Sequence, residues 1–299
     1  MPEPSRRRGE AGREADPFAG GRLEAGAPAR GPLFDAHAHL ADPALAGERQ
    51  AVLERARQAG LLWILDSGTS LEDSQRALAR RGEAAGVRVE VAVGVHPHEA
   101  AGAPPDWPER LRGLARRGAV AIGEIGLDYH YDRSPRPVQR EALRRQLELA
   151  RELDLPVVLH EREAHADLLA ILDQTGLPPR GGVIHSFSGG PGEAEAYLGR
   201  GLFLGVSGMV TFRRADALRQ AIREAPAERL LYETDSPYLA PHPLRGRRNE
   251  PAHVAWTVAA VAELRGEPAA ELLRAAWTGL ARLYGAPLPE RPVRGGPAG

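Results

Sequence analysis

The sequence predicts an α/β fold closed into a (β/α)8 barrel, and three observations carry that prediction. Short apolar runs alternate with segments of helical spacing, the pattern of parallel βαβ units. Eight such runs can be counted, and a span of about 250 residues is usual for eight of these units in a TIM barrel. Five of the runs lead into a residue that can hold a metal ion, and the five are spread from one end of the chain to the other. A closed barrel brings the tips of a first and a last strand together. In an open doubly wound sheet, the structural alternative, those tips sit far apart.

The strand-like runs fall at 33–37, 61–66, 87–95, 119–125, 156–160, 182–187, 202–207 and 229–234. Helical spacing appears between most of them, at 48–59, 71–84, 138–153, 164–174 and 193–198, and two more helical segments, 251–265 and 267–284, close the chain. The clearest is 138–153, with apolar residues at 138, 142, 143, 147, 149, 150 and 153. Residues 1–30 are rich in Pro, Gly, Ala, Arg and Glu and read as a disordered extension; 31–286 form the barrel domain; 287–299 read as a flexible tail.

Composition excludes several chemistries. The chain has 299 residues and no cysteine, so disulfides, thiolate metal sites and cysteine nucleophiles are ruled out. That absence fits a cytoplasmic protein. All 39 basic residues are arginine. Lysine Schiff bases, lysine phosphate loops and a carboxylated lysine bridging two metals are therefore excluded. With 40 acidic residues the net charge is -1, a balance that neither favours nor excludes a nucleic-acid partner. No apolar run reaches the ~18 residues of a membrane span. No apolar stretch follows Arg6-Arg7-Arg8, so no secretory signal is expected.

The chemistry lies at the strand tips. In Asp35-Ala36-His37-Ala38-His39, residues two apart face one way along a strand, so His37 and His39 can share one divalent ion, with Asp35 on the same side to orient an imidazole. Glu124 directly follows the apolar run 119–123. A carboxylate buried there needs a cationic partner, and flanking glycines at 123 and 126 allow close approach. Without lysine, Glu124 is the candidate to bridge two metals. His160 and His185 end later strands and complete a second ion's shell. Asp235 ends the last strand, where it can bind the first ion and accept a proton from the attacking water. His96, in Gly94-Val95-His96-Pro97-His98, ends the third strand and can hold a phosphate or protonate a leaving oxygen; it is preferred to His98 because it lies nearer the strand end. The catalytic candidates are thus Asp235, His96 and Glu124, and the metal ligands His37, His39, Glu124, His160, His185 and Asp235.

These stretches resemble the TatD family of metal-dependent deoxyribonucleases. The resemblance rests on 35–40 (DAHAHL), 94–98 (GVHPH), 121–132 (AIGEIGLDYHYD), 156–165 (PVVLHEREAH), 183–190 (VIHSFSGG), 208–212 (GMVTF), 231–241 (LYETDSPYLAP) and 247–252 (RRNEPA), in the family's order from about Leu33 to Tyr284. It implies a TIM barrel, divalent-metal hydrolysis of DNA phosphodiesters, and the same six ligands that strand position selects. No ligand position departs from the pattern.

On the substrate side, Arg245, Arg247 and Arg248 cluster after the last strand, either as a track for a DNA backbone or as a solvated basic loop. Arg162 lies two residues past His160, within reach of a phosphate. Tyr129, His130 and Tyr131 follow Glu124 and either stack on bases or pack between loops. Two divalent ions are expected, with zinc, magnesium and manganese all compatible with a mixed imidazole–carboxylate set. The leading function is a deoxyribonuclease, an exonuclease on single strands being one form. The alternatives keep the site but change the bond (a small phosphoester, a lactone or an aminoacyl–RNA ester), or make the chain a non-catalytic scaffold stabilised by metal.

Overall fold

The computed structural model describes residues 27–290. The expectations for 1–26 and 291–299 lie outside the described residues. Among the described residues nine strands form one sheet: β1 (Leu33–Ala38), β2 (Leu61–Ser67), β3 (Gly82–Ala84), β4 (Val87–Val93), β5 (Ala121–Asp128), β6 (Val157–Arg162), β7 (Gly182–Ile184), β8 (Phe203–Val206) and β9 (Leu230–Tyr232). Eight of them are neighbours in the order β1-β2-β4-β5-β6-β7-β8-β9, every pair parallel. The ring closes just beyond β9. Ala38 bridges Ser236, the His39 N–H donates to the Ser236 carbonyl at 2.8 Å, and the Asp235 N–H donates to the His37 carbonyl at 2.9 Å. The expected barrel forms, and its closure involves three candidate ligands, His37, His39 and Asp235.

The strands are apolar because they are covered on both faces. Every residue of β1 and β5 is buried, as parallel strands between a packed interior and a helical shell must be. Helices at Arg49–Ala59, Leu71–Leu78, Trp107–Ala115, Arg136–Glu152, His165–Thr175, Pro191–Gly199, Asp216–Glu224, Val254–Arg265 and Ala269–Tyr284 supply that shell. The last of these pins the start of β1: Trp277 donates its indole N–H to the Pro32 carbonyl at 2.7 Å and meets Phe34 edge-on at 5.2 Å. Ala29 is already buried, its N–H bonded to the Ala255 carbonyl.

Strand and helix ends shift by a few residues throughout, and two of these differences change the topology or the site. The helix expected over 71–84 ends at Leu78, and Gly82–Ala84 pairs antiparallel with β4. Ala84 pairs with Val87, so the loop is Ala85-Gly86, and both hold positive φ, as a tight primed hairpin turn requires. Apolar periodicity cannot see this extra strand because it is too short. β5, expected to end at 125, continues to Asp128 through ladder pairs with β6. Glu124 therefore lies inside a strand rather than at its tip. The ladder slips between Ile122 and Ile125, and such an irregularity re-aims a side chain. A similar slip separates Asp35 from Ala38 in β1. Gly126 sits at φ +150°, and a Cβ there would stand 1.9 Å from the His160 carbonyl oxygen. Only glycine lets β5 and β6 run this close beside the site.

Candidate metal centre

All six expected ligands converge at the C-terminal end of the strands. His37 and His39 leave β1 with their Nε2 atoms 3.2 Å apart. Glu124 lies between two groups of donors. Its Oε2 is 3.3 Å from His37 Nε2 and 3.5 Å from His39 Nε2. Its Oε1 is 2.8 Å from His160 Nδ1, 3.0 Å from His185 Nε2 and 3.3 Å from His96 Nε2. Asp235 Oδ1 joins the first group, 3.3 Å from His39 Nε2 and 3.8 Å from His37 Nε2. Three clusters of three donors, each with ligand atoms within 4.8 Å of one another, can be drawn here: His37–His39–Asp235, His37–Glu124–His185 and His96–Glu124–His160.

The outer nitrogen of each imidazole reports which nitrogen is free. His39 Nδ1 lies 2.9 Å from the Ser67 carbonyl. A carbonyl only accepts, so Nδ1 carries the proton and Nε2 turns a lone pair to the site. His160 places Nε2 3.2 Å from Asp128 Oδ2 and turns Nδ1 inward. His185 Nδ1 is 3.4 Å from Glu233 Oε1. His37 Nδ1 meets the Ser67 hydroxyl at 3.2 Å. The Ser67 carbonyl behind His39 and the Asp128 carboxylate behind His160 fix ring and tautomer, as acceptors do behind histidines that hold a metal. His96 differs. Its Nδ1 accepts the His98 backbone N–H at 3.1 Å, so the neutral ring carries its proton on Nε2, the atom facing Glu124. The neutral His96 ring thus faces Glu124 as a hydrogen-bond donor.

Electrostatics agree with a site made for positive charge. Burial opposes the charge of Glu124, yet His185 and His96 hold its carboxyl well below the usual range. Burial likewise opposes charge on Asp235, and His39 lowers it. Burial works against a charged His39 too, but Asp235 and Glu124 outweigh it and push the ring up to about 10. His160 and His185 are raised against burial, chiefly by Asp128 and Glu124 for the first and by Glu124 for the second. His37 and His96 are lowered to about 4, primarily by burial. The buried carboxylates thus favour the charged form of His39, His160 and His185, and divalent cations suit the same donors.

Several sequence expectations need correction. Asp35 orients no imidazole: its carboxylate accepts the Thr234 N–H at 2.8 Å, the Thr234 hydroxyl and the His37 backbone N–H, tying β1 to the chain after β9. The centre opens into a cavity of about 530 Å³ whose wall includes Arg162, Arg133, Tyr131 and Tyr238. Tyr129 is not among its lining residues; its hydroxyl donates to Asp167 at 2.6 Å and Arg136 covers its ring. Arg248 is turned to Glu48 at 3.0 Å and to the Ala44 carbonyl. Arg247 is exposed and also absent from the lining, while Arg245 lies over the Phe212 ring at 3.9 Å. Tyr129, Arg245 and Arg248 are settled by long-range partners that local sequence does not display. Asp128 and Glu233, absent from the sequence-based candidates, are carboxylates buried behind His160 and His185. The signal for both was present: an acid closing or following a buried strand, four residues past Glu124 in one case and two before Asp235 in the other.

Known proteins align with this arrangement. The family model described as TatD related DNase matches residues 34–285. A protein of Pantoea vagans named 3'-5' ssDNA/RNA exonuclease TatD is 43% identical over 246 residues, covering 80% of this chain and 94% of the relative. The uncharacterized metal-dependent hydrolase YabD of Bacillus subtilis is 37% identical, over 78% of this chain and 91% of its own. Among solved structures, the TatD homolog YJJV of Escherichia coli superposes with a TM-score of 0.81 at 36% identity, covering 85% of this chain and 98% of that one. The chain therefore belongs to the family of TatD-related DNases and is an enzyme of that metal-dependent hydrolase type.

Proposed function

We propose that this chain is a metal-dependent nuclease that removes nucleotides from single-stranded DNA, working from the 3' end. The observation that carries the reading is the division of Glu124, with Oε2 toward His37, His39 and Asp235 and Oε1 toward His160 and His185. Two divalent ions fit these two donor sets, and four imidazoles favour zinc over magnesium, with manganese intermediate. Relatives named 3'-5' ssDNA/RNA exonucleases support the substrate class and polarity.

When bound, the ions supply the positive charge that acidifies water and draws electron density from the phosphate. The residues do the rest. Glu124 and the four imidazoles hold the reacting region in fixed geometry. Asp235, kept ionised by His39 against burial, takes the proton of the attacking water, and the leaving sugar oxygen takes a proton from solvent. The Nε2–H of His96 donates a hydrogen bond to a phosphoryl oxygen. Its neutral tautomer favours that role over protonation of the leaving group. Arg162 lines the cavity and holds the next phosphate with its guanidinium fork. All six ligands come from one chain, so the site is complete in a monomer. No helix among the described residues is long and apolar enough to cross a membrane, and the cysteine-free composition fits work in the cytoplasm.

The direct test is a labelled single-stranded oligonucleotide with and without chelator. Stepwise loss of 3' nucleotides, stopped by chelation and restored by zinc or manganese, supports the reading. An uncut strand with every divalent ion tried contradicts it.

A further inference from the structure

Four large hydrophobic side chains are exposed among the described residues: Tyr131, Val138, Tyr238 and Leu288. Two of the four, Tyr131 at 58% and Tyr238 at 53%, line the cavity over the metal centre. Exposed aromatic rings at the mouth of a polar site are costly to leave in water unless something flat covers them.

The two rings connect through neighbouring imidazoles to different oxygens of Glu124. Tyr131 follows β5 and meets His98 edge-on at 5.6 Å. The His98 ring in turn lies 6.2 Å from His160, whose Nδ1 is 2.8 Å from Glu124 Oε1. Tyr238 follows β9 and meets His39 edge-on at 6.2 Å, and His39 faces Glu124 Oε2 at 3.5 Å. Both rings are held in place. The Tyr238 hydroxyl donates to Asp42 at 2.9 Å, and Tyr131 is flanked edge-on by His130 at 4.7 Å. The Arg133 guanidinium lies 5.6 Å from the centre of the Tyr131 ring, which puts positive charge beside that platform.

We infer that Tyr131 and Tyr238 are base-stacking platforms on either side of the scissile phosphate, each taking one of the two nucleotides that the phosphate joins. The inference rests on the nuclease reading above. A phosphate placed over Glu124 has one nucleoside directed toward His98 and Tyr131 and the other toward His39 and Tyr238. Stacking on a tyrosine face is open to any base, because every base has a π face. It is closed to a base already stacked and paired in a duplex. The two platforms therefore select unpaired strand ends without reading sequence.

The test uses the metal-loaded chain with Tyr131→Ala, Tyr238→Ala and the two Tyr→Phe variants. Each Ala variant should raise KM for a single-stranded oligonucleotide about tenfold, the loss expected of one base stack, while each Phe variant stays near wild type. Oligonucleotides lacking the base at the terminal or the penultimate position make the assignment. The defect of one Ala variant should vanish on the first substrate and that of the other on the second. A strand carrying 2-aminopurine at either position adds a readout without turnover: binding should quench its fluorescence, and the matching Ala variant should remove the quenching. Ala variants with wild-type KM, or defects that persist on the strands lacking bases, would overturn the platforms. Quenching without cleavage would keep the platforms and remove the nuclease reading, whereas a wild-type chain that neither quenches nor cuts removes both.

Discussion

Asp128 Oδ2 lies 3.2 Å from Nε2 of His160, on the far side of the ring from Glu124. The same oxygen is 2.8 Å from His98 Nε2, and Oδ1 accepts the backbone N–H groups of His130 and Tyr131. One buried carboxylate thus fixes a candidate ligand's tautomer and shapes the loop that carries Tyr131. Asp128→Asn keeps a carbonyl oxygen for the loop and loses the anionic acceptor behind His160. Metal affinity in the donor set of His160 and His185 should fall about 10- to 100-fold, with the set of His37, His39 and Asp235 unchanged. Competition titration against a chelating dye resolves the two. Equal weakening of both sets would mean that Asp128 acts through general folding.

Ion uptake should release protons. In the ion-free site His39 is pushed up to about 10, and His160 and His185 are also raised. Each must lose its proton to become a ligand. His37 and His96, near 4, have none to lose at neutral pH. Groups protonated when free and deprotonated when bound make affinity rise with pH, here up to the value of about 10 for His39. Calorimetry in buffers of different ionisation enthalpy measures the protons directly. Uptake with no proton release, or affinity that falls as pH rises, contradicts the charge arrangement.

Gly126→Ala should be strongly destabilising. The new Cβ would meet the His160 carbonyl at 1.9 Å, at a φ of +150° that side chains rarely adopt. Strained backbone of this kind costs on the order of 3 kcal/mol. The urea unfolding midpoint reads the loss, and an unchanged midpoint would show that β5 and β6 can separate at no cost.

The arginines of the late loops should separate from the arginine on the cavity wall. Arg162→Ala should raise KM for single-stranded DNA, whereas Arg248→Ala should leave cleavage near wild type, because Arg248 is turned away to Glu48. Steady-state kinetics on one oligonucleotide decides it, and the reverse ranking would restore the loop cluster as the phosphate track.

The residues that converge as candidate donors were legible in the sequence, and most of the cavity wall was not. His37, His39, His160, His185 and Asp235 stand out because a polar, metal-capable residue at the end of an apolar run breaks the strand's own pattern. Their convergence follows from barrel closure alone. Glu124 was visible for the same reason, although its strand runs on to Asp128 because pairing with β6 outlasts the apolar run. The sequence leaves two readings for Tyr129 and for Arg248, because their partners, Asp167 and Glu48, are remote in sequence. Rim residues such as Tyr238 obey no periodicity, since loops are positioned by contacts rather than by a repeating face.

The central claim is that Glu124 joins two ligand sets. It is tested most directly by the metal content of Glu124→Ala beside that of the wild type, with cleavage of single-stranded DNA measured on the same samples and folding checked by circular dichroism. The account predicts two ions per chain in the wild type, loss of at least one in the folded variant, and turnover lower by about a thousandfold or more, as expected when several kcal/mol of transition-state stabilisation are removed. A folded variant that keeps two ions and cuts at the wild-type rate would contradict it.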